Sequence, residues 1–189
     1  MELLTGIFTA FGLSASAGLN AYIPLLMVGL IAHYFPKSLT LTQPWDTLSN
    51  PWVILLLCVL VIIEMLADKL PAINHVNDLI QTVIRPAAGA IAFAASANVI
   101  TNVHPALALA CGLLIAGTVH VAKAGVVRPI VTATTGGVGN TPVSVAEDAV
   151  STVISIVAIL IPILIGTLLI VAGAFLVYWF YKRSDPQTT

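Results

Sequence analysis

Glu64 and Asp68 stand one helical turn apart near the end of the apolar run ILLLCVLVIIEMLADK, and Glu147 and Asp148 close the stretch TATTGGVGNTPVSVAED. A carboxylate near the centre of a membrane helix costs about 2.5–3.5 kcal/mol to insert, so such groups bind something. Glu64 and Asp68 share a face and could hold a cation or a proton between them. The alternative is an internal ion pair with Arg85, Lys123 or Arg128, and Lys69 lies beside them in sequence. Gly137, Gly139 and Asn140 mark irregular backbone whose carbonyl and amide oxygens could face an ion, as could Asn20 in SASAGLNAYIP. A helix starting near Thr141 to Ser144 would place its partly positive end beside that glycine-rich loop, where an anion could also sit.

Each of these residues has a plainer reading. Ser144 and Glu147 have capping-box spacing, and acids in a first turn complement the helix dipole. Capping needs only one acid, which leaves Asp148 free to face a polar cavity. Asn20 and Asn140 favour turns and caps. Asp148, His120, Lys123 and Arg128 could together handle a lipid headgroup phosphate, although no nucleophile accompanies them. Glu64, Asp68, His75 and Asp78 could form a metal site, but no HExxH, GxSxG, P-loop or CxxC pattern is present. His33 and His104 fall at span ends, where solvation suffices. Cys58 and Cys111 lie in apolar runs as ordinary buried thiols. No cofactor is expected.

The elements that must position these groups belong to a bilayer. Charged residues make up 8% of 189 and hydrophobic ones 59%, with a mean hydropathy of +1.04, far from soluble composition. A net charge of −1 argues against nucleic acid. The expected fold is all-α: one polytopic bundle over residues 1–183, with about five or six crossings at roughly 20 residues each, and a polar tail over 184–189. Glu2 precedes the first apolar run and no Lys or Arg appears before Lys37, so the run lacks the basic flank of a cleaved signal and is expected to stay.

Leu3 to Phe35 exceeds one crossing and predicts a helix broken or re-entrant at SASAGLNAYIP. Trp45 and Trp52 suit an interfacial belt, and Trp52 to Leu70 is the cleanest span. Pro71 to Ile84 carries an apolar stripe (Ile73, Val76, Ile80, Val83) and a polar one (Asn74, Asn77, Asp78, Gln81), which predicts a short separate helix at the interface or lining a cavity. Arg85-Pro86 then opens the small-residue helix AAGAIAFAASANVI, whose face could pack closely or dock an assembly partner. Asn102 to Pro105 predicts a turn and Pro105 to Lys123 another span. Arg128-Pro129 leads into the glycine-rich loop. Ala149 to Tyr181 is expected to break at Pro162, and Lys182 and Arg183 favour a cytoplasmic C-terminus. Gly18-Leu-Asn20 with Pro24 echoes Gly139-Asn140 with Pro142, and Ile84-Arg85-Pro86 echoes Val127-Arg128-Pro129, the pattern of an internal inverted repeat.

Four motifs, EMLADKLP (64–71), RPAAGA (85–90), AKAG (122–125) and TATTGGVGNTPVSVAED (132–148), resemble the bacterial membrane family catalogued as domain of unknown function 4126. The likeness covers almost the whole chain. In that family the loop runs Gly-Asn-Pro, and Thr141 is a departure. The resemblance implies a compact multi-helix membrane protein and supplies neither substrate nor catalytic residue. Glu64-Met-Leu-Ala-Asp68-Lys69 is also faintly similar to the Glu-x-Gly-Asp-Lys-Thr motif of small cation exporters, with one extra residue and without its Gly and Thr. The combined expectation is a homo-oligomeric transporter or channel-like permease of the inner membrane, moving an ion or small solute past interrupted helices. A lipid-headgroup enzyme and a non-catalytic assembly factor are the alternatives.

Overall fold

The computed structural model describes residues 2–37, 39–69, 71–97, 103–161, 168, 170–175 and 178, with no β-strand among them. Helix α1 (Glu2–Leu19) is followed after two residues by α2 (Tyr22–Tyr34). The break falls where the SASAGLNAYIP stretch predicts it. Asn20 Oδ1 accepts from the backbone N–H of Tyr22 and of Ile23, both at 3.1 Å, which caps α2. Pro24 fits the first turn that follows, where an N–H would have no partner within the helix. At 13 residues, α2 extends only about 20 Å, short of the bilayer's hydrocarbon thickness.

A short 3₁₀ turn (Trp45–Ser49) leads into α3 (Pro51–Ala67), which starts cleanly because Asn50 accepts from Trp52 N–H and Pro51 occupies the first turn. Helix α4 (Pro71–Ala97) corrects the sequence reading: the amphipathic stretch and the small-residue stretch form one 27-residue helix with Pro86 inside it. Proline removes one helical hydrogen bond, and close packing of α4 against α1 and α5 compensates. Where α4 meets α5 (Pro105–Ala122), a Cβ on Gly89 would collide with Ala116, and one on Gly112 with the carbonyl of Gly89. Ser14 of α1 donates to both glycine carbonyls, at 3.1 and 2.8 Å. Ala88, Ala90, Ala92, Ala94 and Ala95 are all buried, so this part of the alanine-rich stretch packs internally. His104 also departs from simple solvation: its Nδ1 accepts from Ala106 N–H and caps α5.

Helix α5 does not stop at Lys123. It widens into a π-helical turn over Lys123–Val127 and continues as α6 (Arg128–Thr135). Pro129 has no N–H to offer the preceding turn and its ring would clash there in regular α geometry; the wider turn relieves both. The expected long loop therefore shrinks to Gly136–Gly139, with Gly136 at φ 64° and Gly137 at φ 91°. Helix α7 (Asn140–Leu160) follows directly and passes against α1. Ser16 Oγ lies 2.7 Å from Ser151 Oγ and 2.8 Å from Ser155 Oγ, and Ser16 and Ser151 each donate to the other's carbonyl.

The packing is inverted relative to a water-soluble protein. Small residues such as Ala10, Ala17, Ala92 and Ala116 fill the core, while Leu55, Leu56, Ile62, Ile63 and Leu66 of α3 face outward. Leu79–Ser96, Pro105–Thr135 and Asn140–Leu160 are long and apolar enough to cross a membrane, and α1 to α3 supply shorter apolar helices. The chain is a helical membrane protein. The break expected at Pro162 and the terminal residues Lys182 and Arg183 lie outside the described residues. Gly89→Val should lower thermal stability in detergent, an overpacking cost of about 1–3 kcal/mol. Ala87→Val, two residues earlier at an exposed position, should leave the melting temperature nearly unchanged.

Candidate functional site

Breaking a helix inside an apolar bundle frees backbone N–H groups that have no water to bond. Ala21 N–H is freed in this way, and it is met by Glu64, whose two oxygens lie at 3.2 and 3.1 Å. Glu64 reaches the break because it sits in the last turns of α3, which packs against α2. Its Oε1 also accepts from Arg85 Nε at 3.2 Å and Nη2 at 3.0 Å. Glu64 and Arg85 are 1% and 0% exposed, so each relies on the other.

Asp68, just past the end of α3, collects more cations. Its Oδ2 lies 3.2 Å from Arg85 Nη2, 3.1 Å from Arg128 Nη2 and 3.5 Å from Lys123 Nζ, while Asn77 donates to Oδ1 at 2.6 Å. The π turn explains how Lys123 and Arg128 both arrive. Five residues apart on an α-helix, they would point about 140° apart. Here Arg128 N–H bonds the carbonyl of Lys123, so the second residue stacks close to the first.

Helix α7 closes the cluster. Glu147 lies 2.7 Å from Lys123 and 3.8 Å from Arg128, and Asp148 accepts from Asn20 Nδ2 at 2.9 Å with Lys69 at 4.0 Å. Lys123 also donates to the carbonyl of Leu19 at 2.9 Å, capping the C-terminus of α1 with a positive charge. The expected capping box is not formed. Ser144 instead takes a bond from Arg128 at 3.3 Å and faces the Asp68 carbonyl; Glu147 turns to the cations because buried charges must be paired.

The cluster thus joins Glu64, Asp68, Glu147 and Asp148 with Lys69, Arg85, Lys123 and Arg128, four charges of each sign. Arg85, Lys123 and Arg128 are at most 5% exposed. They are therefore helix-borne internal charges rather than loop charges. His120 joins from α5, its Nδ1 3.3 Å from Arg85 Nη1 and its Nε2 3.1 Å from Thr82 Oγ1.

Gly137, Gly139 and Asn140 lie outside the ion-pair cluster. They form the exposed to half-buried turn between α6 and α7, where Thr135 accepts from Gly139 N–H and Asn140 donates to Thr132. Asn20 is the member of the predicted amide set that enters the cluster. His120 and Asp148 have separate partners, Arg85 and Thr82 for one and Asn20 for the other. Among the described residues no three His, Cys, Asp or Glu side chains are grouped to hold a metal ion; the side chains of His75 and Asp78 lie outside that description. Cys58 and Cys111 are free and half-buried.

Sequence reasoning missed three members of the site: the Ala21 N–H, the amide of Asn77 and the Ser144 hydroxyl. Asn77 stood in the polar stripe of 71–84, and the spacing of that stripe was its only signal. Asp68→Asn should leave Arg85, Lys123 and Arg128 sharing one buried counter-charge fewer and destabilise the fold by about 3–5 kcal/mol. Lys69→Ala, whose side chain is 28% exposed, should cost little; detergent unfolding of both variants measures the contrast.

No curated protein and no solved structure matches the chain. A family model does match, over residues 7–183, the region that carries every member of the cluster. The chain belongs to the family described as domain of unknown function DUF4126.

Proposed function

We propose that the protein is a small membrane transporter or permease in which a solute or ion passes the α1–α2 break by exchanging with internal ion pairs. The observation that carries this reading is Glu64, a buried carboxylate bound to the freed N–H of an interrupted helix. Discontinuous helices and ionisable groups at membrane depth are the usual means of handling a charged cargo. A stable bundle could have filled this space with apolar side chains at no loss in stability, so the buried ion pairs around Glu64 and Asp68 argue for a role beyond holding the helices together.

The balance of charge narrows the mechanism. Every carboxylate in the cluster already faces a cation, so a second cation enters only when Lys69, Arg85, Lys123 or Arg128 moves aside. An anion or a proton, conversely, enters by competing with Glu64 or Asp68 for the same groups. A groove of about 380 Å³, lined in part by Leu19, Val119, Val127 and Val143, reaches Lys123 and Glu147 and gives one approach from the apolar surface.

In this reading the protein crosses the inner membrane about five or six times and works as a homo-oligomer, with the α1–α2 break and the α6–α7 turn as equivalent points of an inverted repeat. The α1–α2 break carries the site. Purified protein reconstituted into vesicles should pass at least one of a panel of small anions, cations and protons faster than empty vesicles. Glu64→Gln should reduce that flux at least about tenfold while the protein still folds, as judged by its thermal transition. Wild-type vesicles no more permeable than empty ones across the panel would remove the reading.

A further inference from the structure

We infer that His120 is the proton-binding residue of the cluster, because a proton and Arg85 compete for the same lone pair on its Nδ1. A guanidinium has donors only. Arg85 Nη1, 3.3 Å from Nδ1, can therefore bond His120 only when Nδ1 is unprotonated. That leaves the ring hydrogen on Nε2, facing Thr82 Oγ1 at 3.1 Å. The geometry selects one tautomer of a neutral ring.

Histidine is the side chain that ordinarily changes charge near neutral pH. When a proton binds Nδ1, no covalent bond in the protein breaks; the ring gains one N–H and one positive charge. Two donors then face each other and Arg85 must withdraw. Arg85 is also the guanidinium that holds Glu64 and Asp68, so its withdrawal loosens both carboxylates at the helix break.

Arg85 and Thr82 come from α4, with Asp78 one turn before Thr82. Glu64 of α3 and Asp68 just past its end stand behind Arg85, Lys123 follows His120 in the turn that continues its helix, and Glu147 of α7 lies behind Lys123. Thr82 is at the surface of the bundle while His120 is 2% exposed, so the ring links a surface position to the innermost ion pair. The role as coupling ion rests on the transport reading; the proton site itself rests on this geometry alone.

Nitrogen-15 NMR of the full chain in lipid nanodiscs, labelled at histidine and arginine, tests it. His120→Gln assigns the signal among the four histidines. At neutral pH, His120 should show the Nε2–H tautomer with Nδ1 as a hydrogen-bond acceptor. On acidification His120 and an arginine signal absent from Arg85→Lys should move together, in one step with one midpoint. An Nδ1–H tautomer, a His120 charged across the whole range, or an Arg85 signal that ignores the titration would each overturn the inference. Because the spectra do not depend on flux, a titrating His120 in a protein that transports nothing removes only the transport reading. Flux with an inert His120 removes only this inference.

Discussion

The backbone N–H of Ala21 is free inside the bundle and must be met there, and the carboxylate of Glu64 meets it. Once that acid is buried, Arg85 must be buried beside it, and Arg85 brings Asp68 within reach. Asp68 then gathers Lys123 and Arg128, which in turn hold Glu147. The chain of buried charges starts from one two-residue interruption between α1 and α2. Each added charge satisfies the previous one and creates a demand for the next, until the set is neutral.

Packing serves the same end. A charged centre tolerates little relative movement of the helices that carry it, since removing one member of a buried pair is far more damaging than removing both. The small residues of α1, α4 and α5 bring those three helices into close contact. Serine hydroxyls satisfied by carbonyls of neighbouring helices tie α1 to α4, α5 and α7 without adding net charge. The large apolar side chains are left to the lipid, where shape matters less.

Much of this was legible in the sequence. The break at Asn20, the membrane composition, the special status of Glu64 and Asp68, and the identities of Lys69, Arg85, Lys123 and Arg128 as partners followed from residue type and the expense of a buried charge. The π turn was not legible, because a proline that ends a helix and one that merely widens it look alike in sequence; Arg128-Pro129 was accordingly read as the start of a loop. The continuity of α4 was hidden for a related reason: its polar stripe suggested an interface, whereas Asn77 is turned inward to Asp68. Ser144 and Glu147 fit a capping pattern locally, and a distant demand for charge overrode it. Local patterns gave the right residues and, in these places, the wrong partners.

Along the chain the clustered groups run Glu64, Asp68, Lys69, Arg85, Lys123, Arg128, Glu147, Asp148, with the acids at both ends and the bases between. During synthesis, α3 leaves the ribosome carrying Glu64 before Arg85 exists, and Lys123 and Arg128 wait a further helix for Glu147. Glu64 is therefore made before the base that neutralises it, and α7 is the last of these elements to bring counter-charges to the bases already made.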